Sequence, residues 1–191
     1  MSTRHVGALL FLTILAFAVS ARAQFENGSA LFIVNGGTQF LDPEDTEQSL
    51  DGFSGGFSYE HSSWNGKWSG GFSLSYLSSQ TKDDSSSSRT VNFTSVPLTL
   101  FGKYNFGSSK VRGFLRGNVG VHTSKIESAG ERAGLTDWDA GFVVGAGLGA
   151  NLFMSKTMLL NAGYHFAYLS NSFYRDGLVH SLQLGIGFQF D

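Results

Sequence analysis

Two small groups of residues in this sequence have the side-chain types that nucleophilic catalysis needs. His122 and Ser124 lie two residues apart with Glu127 close behind, and Ser170 follows two residues after Tyr168. A serine hydroxyl becomes an effective nucleophile when a general base lies beside it. Tyr168 occupies the position of the base in the second group, and a phenol with a pKa of about 10 cannot act as a base near neutral pH. Ser124 is expected in a loop, so we assign no catalytic residue.

A run of carboxylates between residues 40 and 51 offers the oxygen ligands that Ca²⁺ prefers. The residues are Asp42, Glu44, Asp45, Glu47 and Asp51. Their spacing does not match the EF-hand loop, and we interpret them as a solvated acidic loop. The glycines of segment 145–149 have the two-residue period of a strand and not the strand–turn–helix context of a phosphate-binding loop. We therefore expect neither a metal nor a cofactor.

The composition excludes several classes of protein. Only 15% of the 191 residues are charged, against about 25% in ordinary globular domains. Aromatic residues make up 14% of the chain, which a disordered linker would lack. The absence of cysteine excludes a disulfide scaffold, and a net charge of −2 argues against nucleic-acid binding. The length is typical of one domain.

The first 23 residues have the pattern of a secretory signal peptide. Arg4 precedes an apolar run at 6–19 that is too short to cross a bilayer as a helix. Small residues then lead up to the bond between Ala23 and Gln24, as at signal cleavage sites. We therefore expect residues 1–23 to be removed and residues 24–191 to form the mature domain, with an uncleaved anchor helix as the alternative.

Alternation of bulky apolar residues with small or polar residues dominates the mature chain. Near the C-terminus, Leu182, Leu184 and Ile186 lie on one face, opposite Ser181 and Gln183. This period of two predicts β-strands with one apolar face. Eight strands are expected, near residues 29–39, 52–61, 67–78, 90–106, 111–123, 140–153, 158–170 and 179–190.

One residue of the fourth predicted strand interrupts this regular pattern. Pro97 has no backbone N–H and removes a donor from the hydrogen-bond ladder. We therefore expect a bulge or irregular pairing at this point.

The connections between these strands alternate in length. The long connections are 40–51, 79–89, 124–139 and 171–178, and the short ones are 62–66, 107–110 and 154–157. In an up-and-down sheet, this order puts every long loop at one end and every tight turn at the other. Transmembrane β-barrels of the bacterial outer membrane have this asymmetry, with short periplasmic turns and longer extracellular loops. Both termini would then lie on the periplasmic side.

Alternation alone does not say which face points inward, so a soluble lipocalin-like barrel is the alternative. That barrel would hold its apolar face inside. The interior of an eight-stranded barrel is just wide enough to be filled by side chains, and large aromatic and aliphatic residues from eight strands would overfill it. We therefore expect the bulky face to contact lipid and the small face to line a narrow lumen.

Several segments resemble a known family. Residues 96–106 (VPLTLFGKYNF) and 111–120 (VRGFLRGNVG) form a proline-bearing strand and a glycine-rich strand around a short turn. Together they resemble the small bacterial outer-membrane β-barrel domain family. Segments 145–149, 161–164 and 182–190 are similar to that family's closing strands, and the layout resembles the membrane domains of OmpA and OmpX. The segment around Ser170 is also faintly similar to the lipid A deacylase barrels, in which a His-x-Ser-Asn run supplies the base and the nucleophile.

Ionisable side chains fall on the expected lumen face of this barrel. They are Glu60, Lys103, Arg112, Arg116, His122 and His165. Strand directions place Glu60, Lys103 and Arg112 nearest the periplasmic end, with Arg116 slightly higher. A basic constriction would select anions, whereas an ion-paired plug would close a barrel this narrow. We favour a plug formed by Glu60, Lys103, Arg112 and Arg116.

Aromatic residues at the strand ends predict two membrane-interface girdles. The periplasmic girdle comprises Trp64, Trp68, Tyr104 and Phe106, and the outer girdle comprises Trp138, Phe142, Phe173 and Tyr174. His180 is also expected at the interface.

The sequence therefore predicts an all-β, eight-stranded antiparallel barrel in the bacterial outer membrane, monomeric and non-enzymatic, with a structural or surface-loop role. Its expected partners are outer-membrane lipid and lipopolysaccharide, periplasmic chaperones and the barrel-insertion machinery, without nucleic acid. A lipid A deacylase-like hydrolase and a small-solute pore are the alternative functions.

Overall fold

The computed structural model describes residues 29–42, 50–62, 66–82, 90–107, 110–129, 136–170 and 177–190. These residues form eight strands: β1 (Ala30–Asp42), β2 (Leu50–Ser62), β3 (Trp68–Lys82), β4 (Thr90–Gly107), β5 (Val111–Ala129), β6 (Thr136–Phe153), β7 (Met158–Leu169) and β8 (Gly177–Phe190). The described part of the chain contains no helix that is long and apolar enough to cross a membrane. The predicted all-β fold with eight strands is confirmed.

The eight strands close into a single antiparallel barrel. Each strand pairs with its neighbours in sequence, and β1 pairs with β8 from Ala30↔Phe190 to Asp42↔Leu178. Closure gives each strand two hydrogen-bonded neighbours, which is how a sheet satisfies its backbone inside a hydrocarbon layer. Glycines with positive φ lie at two of the tight turns, Gly66 with φ 63° and Gly107 with φ 106°. We call this end of the barrel the turn end and the opposite end the loop end.

The outer surface of the barrel is apolar. On β8, the side chains of Leu182, Leu184 and Ile186 point outward, and Leu184 is 66% exposed. Ser181 on the opposite face of the same strand is buried inside the barrel. Each of the other strands also has large apolar side chains exposed on its outer face. The bulky face is therefore outside, and the lipocalin-like alternative is wrong. An exterior of this kind suits a surrounding layer of acyl chains.

Two apolar clusters lie inside the barrel, one towards each end. The lower apolar cluster, at the turn end, consists of Leu31, Ile33, Phe153 and Leu159. The upper apolar cluster, towards the loop end, consists of Leu77, Phe93, Val143, Leu169 and Val179. The sequence pattern predicted small and polar residues along the lumen, and neither cluster was predicted. The lower cluster explains why residues 30–34 are apolar on both faces of β1.

The hairpin of β5 and β6 is longer than the sequence predicted. Residues 124–139 were expected to be a loop, but β5 continues to Ala129 and β6 begins at Thr136. The two strands pair through Glu127↔Thr136, beyond the last pair of β6 with β7 at Val143↔Leu169. Pairing between β5 and β6 satisfies the backbone hydrogen-bonding groups there, so this part of the hairpin needs no apolar face. Its polar composition resembles that of a loop, which is why a loop was predicted.

The ladder beside Pro97 is interrupted without a change of register. On β3 and β4, the pairs stop at Leu74↔Leu98 and resume at Leu77↔Ser95. On the other side, Pro97 remains the partner of His122. The prediction of irregular pairing is confirmed, but no bulge is formed, because the missing donor costs a ladder bond and adds no residue.

A charge placed at the middle of the outer surface should destabilise the barrel more than one at its rim. We expect Leu184→Arg to lower the free energy of unfolding by about 2–4 kcal/mol, since the arginine would lie in hydrocarbon. Val111→Arg is the matched control, because Val111 also points outward but begins β5 at the turn end. Its cost should be about 0–1 kcal/mol. Urea unfolding of the liposome-folded protein measures both, and equal costs would contradict the outward orientation of β8.

Candidate functional site

A buried ion pair crosses the lumen in its lower half. Lys103 Nζ on β4 lies 2.5 Å from Glu60 Oε2 on β2, and the two side chains are 3% and 1% exposed. The ammonium group also lies 4.8 Å from the centre of the Phe114 ring on β5. A buried charge of this kind needs both its partner and nearby polar or aromatic groups, because removing it from water is costly. Glu60 and Lys103 therefore depend on each other.

Arg116 lies directly beside this ion pair. Lys103 and Arg116 are cross-strand partners on β4 and β5, and like charges in that position repel each other. Glu60 lines the same small cavity as both of these cations and supplies negative charge between them. We call Glu60, Lys103 and Arg116 the charged layer.

The guanidinium group of Arg116 is held by two further contacts. Its Nη2 donates a hydrogen bond of 2.7 Å to Ser73 Oγ, and the Ser73 and Thr99 hydroxyls are 2.7 Å apart. Its central carbon lies 3.8 Å from the centre of the Phe101 ring, within the range of cation–π contacts. Ser73 and Thr99 were not among the predicted site residues. The one feature of the sequence that could have identified them is their position on the inward face of β3 and β4.

Arg112 lies apart from the charged layer. It pairs with Gly107 at the turn end of β5, and its guanidinium carbon is 5.7 Å from the Phe153 ring centre. The strand directions predicted that Arg112 lies level with Glu60 and Lys103, and that Arg116 lies farther from the periplasmic end. The grouping of Arg112 with Lys103 is wrong, because the register of β4 against β5 pairs Lys103 with Arg116 and Arg112 with Gly107 at the turn end.

A second polar cluster surrounds His122 near the loop end. Its Nδ1 lies 2.7 Å from Ser124 Oγ and 3.3 Å from Ser95 Oγ, and its Nε2 lies 2.8 Å from the Ser170 carbonyl oxygen. The carbonyl only accepts, so Nε2 donates to it, and Nδ1 of the neutral ring is then an acceptor for a serine hydroxyl. Gly141 permits this approach, since a Cβ there would collide with the Ser170 carbonyl and with His122.

These contacts do not assemble either of the catalytic groups considered from the sequence. Ser124 lies within β5, not in a loop as predicted, and it is 0% exposed. Glu127 points to the opposite face of β5 and pairs with Lys125. Ser170 contributes its backbone carbonyl, while Tyr168 packs outside against Phe142 with ring centres 5.8 Å apart. Within the described residues, no group of three or more His, Cys, Asp or Glu is placed to bind a metal.

Aromatic side chains lie on the outer surface at both ends. At the turn end, the ring centre of Tyr104 is 4.9 Å from that of Trp68 and 6.4 Å from that of Phe106. Towards the loop end, Phe142 packs on Tyr168, which the sequence reasoning did not include. Trp138 is also outward, but it lies on the β5–β6 extension, 5.6 Å from Lys125 Nζ.

Some of the predicted residues cannot be placed in this geometry. Trp64, Phe173 and Tyr174 of the girdles lie outside the described residues, as do Ala23 and Gln24 of the cleavage site. The assignment of the girdles stays a prediction.

His180 lies on the outer face, in a small aromatic group. Its Nδ1 is 2.5 Å from the Tyr164 hydroxyl, and its ring centre is 5.3 Å from that of Phe166. The phenol can donate to the ring nitrogen, so the two polar groups satisfy each other on an apolar surface.

The sequence and the fold identify the family. Residues 9–190 match the family model described as outer membrane protein beta-barrel domain. The match covers nearly the whole chain, so this protein belongs to that family, and it is a protein of the bacterial outer membrane. The family resemblance and the location expected from the sequence are confirmed. A comparison with curated proteins gave no match.

Solved structures of outer-membrane proteins have the same fold. Neisserial surface protein A is 14% identical over 86% of this chain and 100% of its own, with a TM-score of 0.64. Ail, the attachment invasion locus protein of Yersinia pestis, is 18% identical over 87% and 100%, with a TM-score of 0.55. OprG from Pseudomonas aeruginosa is 16% identical over 90% and 99%, with a TM-score of 0.52. These likenesses concern the fold.

The two partners of the buried ion pair should differ in their importance. Glu60→Gln leaves Lys103 and Arg116 side by side without negative charge, and we expect it to cost about 3–5 kcal/mol of unfolding free energy. Lys103→Met should cost less, since Arg116 remains next to Glu60. Urea unfolding of the refolded protein measures both variants.

Glu127→Gln provides the control for this comparison. It removes the acidic partner of an exposed ion pair and should cost about 0–1 kcal/mol. A Lys103→Met cost equal to or above that of Glu60→Gln would show that Glu60 does not compensate both cations.

Proposed function

We propose that this protein is a non-enzymatic outer-membrane barrel with a closed lumen, and that it acts as a structural element or through its surface loops. The observation that carries the proposal is that three groups of inward side chains occupy the lumen. The lower apolar cluster lies at the turn end and adjoins the charged layer with Phe101 and Phe114, and the upper apolar cluster lies towards the loop end. Eight strands enclose so little space that side chains of this size can fill it.

The β5–β6 extension supports a role at the cell surface. It carries the outward-facing Trp138, Lys125 and Glu127 beyond the last pair of β6 with β7. Variable segments on a rigid scaffold are where binding commonly resides. Two proteins of the same fold have names that refer to the surface and to attachment. We infer a comparable surface position for the loop end of this chain.

The remaining expectations are part of the same proposal. Residues 1–23 direct export and are removed between Ala23 and Gln24. The mature chain is a monomer that binds outer-membrane lipid and lipopolysaccharide through its apolar exterior. Periplasmic chaperones and the insertion machinery deliver it. The exposed large apolar side chains on the outer face support the lipid contact, because they occur on all eight strands.

A lipid A deacylase-like activity is the less well supported alternative. Ser170, the candidate nucleophile in the segment that resembles the deacylases, contributes its backbone carbonyl to the cluster around His122. The other candidate base and nucleophile, His122 and Ser124, are fully buried among hydroxyl groups inside the barrel. Lipid A is held in the outer leaflet around the barrel, on the other side of the sheet from these groups. Release of fatty acid from lipid A by the wild type, abolished in Ser170→Ala or in Ser124→Ala, would nevertheless establish this function.

The closed lumen predicts the absence of ion conduction. Wild-type protein inserted in a planar bilayer should leave the conductance at the level of the bare membrane, because water has no continuous path past the three groups of inward side chains. Heat-modifiable gel migration of the same preparation, compared before and after boiling, controls for folding. Discrete conductance steps from folded protein would contradict the proposal and would favour the small-solute pore.

A further inference from the structure

A cavity of about 80 Å³ lies inside the barrel, above the charged layer. One water molecule needs about 10–15 Å³ of such a volume, so the cavity has room for several water molecules or for one small ion with part of its hydration. Its lower side includes Arg116 and Ser73, and its upper side is formed by Leu77, Val143 and Leu169 of the upper apolar cluster. It is therefore polar and basic below and apolar above.

The charge around this cavity is unbalanced. Arg116 and His165 are the ionisable side chains in its lining, and no Asp or Glu of the described residues lines it. Glu60, which lies in the smaller cavity below, already forms the close ion pair with Lys103. The positive charge of Arg116 is thus only partly compensated, in a setting where an uncompensated charge is costly.

The guanidinium group has donor capacity left for a ligand. Phe101 lies against the group and Ser73 accepts a hydrogen bond from Nη2, so the contacts fix its orientation. Arg116 Nε has no hydrogen-bond partner among the described residues, although it is buried. A guanidinium group carries five N–H donors in a rigid plane, and a small anion is the ligand that such a plane fits best.

Neutral donors complete the lining. The hydroxyl groups of Ser75 and Ser181 and the amide of Asn118 face the same space as Arg116. Hydroxyl and amide groups stabilise an anion through hydrogen bonds without adding charge. The apolar wall above them keeps the local dielectric low and strengthens the attraction between the anion and Arg116.

We propose that this cavity binds one small anion, a halide or a short carboxylate such as formate, between Arg116 and the serine and asparagine donors. The anion compensates the charge that Glu60 leaves unmatched. This makes the middle of the lumen a binding site as well as a closed section of the barrel. The site is separate from the surface role proposed above, and a non-conducting barrel that binds no anion would refute this inference alone.

The direct test observes Arg116 in the wild-type protein. The mature chain, labelled with ¹⁵N-arginine, is refolded in detergent in sodium gluconate, whose anion is too large for the cavity. Chloride or formate then replaces gluconate at constant ionic strength and is also present during a parallel refolding. We expect the Nε–Hε resonance of Arg116, assigned with Arg116→Lys, to shift saturably with chloride and formate. A resonance that does not move in either preparation overturns the proposal.

A stability measurement with a matched variant provides the second test. The urea midpoint of the wild type should rise when chloride or formate replaces gluconate, and this rise should be lost in Arg116→Met. Arg112→Met is the control, since Arg112 faces the lumen at the turn end outside the cavity lining, and it should retain the full rise. An equal rise in Arg116→Met and the wild type would overturn the proposal. If Arg116→Met does not fold, the resonance measurement decides.

Discussion

The barrel depends on one constraint, which is that every backbone N–H and C=O in the hydrocarbon layer needs a partner within the sheet. Pairing of β1 with β8 meets that constraint by leaving the sheet closed. Once the barrel is closed, alternation assigns each residue to the lipid or to the lumen, and a shift of one residue in register would exchange the two faces. Large apolar side chains such as Leu182 and Leu184 then lie outside, and the charged groups Glu60, Lys103 and Arg116 lie inside.

The narrow lumen determines how those inward charges are arranged. Lys103 and Arg116 are forced next to each other by the register of β4 and β5. Glu60 reaches them from β2, and Phe101 and Phe114 contribute aromatic faces to the two cations. The result is a layer of ionic and aromatic contacts. The lower apolar cluster lies at the turn end and the upper apolar cluster lies towards the loop end.

The sequence predicted the fold well because alternation survives even where composition is unusual. The approximate position of each strand and the inward face of Glu60, Lys103 and Arg116 follow from a period of two. The side of the long loops follows from the alternating lengths of the connections. The level of each residue in the lumen does not follow, because it depends on the stagger between strands. For that reason Arg112 was placed level with Glu60 and Lys103, and Arg116 was placed above them.

The β5–β6 extension and the two inner apolar clusters were also harder to predict. The extension of β5 and β6 has a polar sequence, and only pairing between the two strands reveals it. The two apolar clusters were missed because each collects one or two inward residues from several strands. Leu31, for example, is far in sequence from Phe153 and Leu159 and meets them only after closure.

The orientation of the two faces is tested most directly by a nitroxide scan along β8. The chain has no cysteine, so single cysteines at residues 182–188 can be labelled cleanly in protein folded into liposomes. Collision rates with oxygen, which concentrates in hydrocarbon, should alternate with maxima at Leu182, Leu184, Ile186 and Phe188. Maxima at Gln183, Gly185 and Gly187 would place the bulky residues inside and would contradict the account.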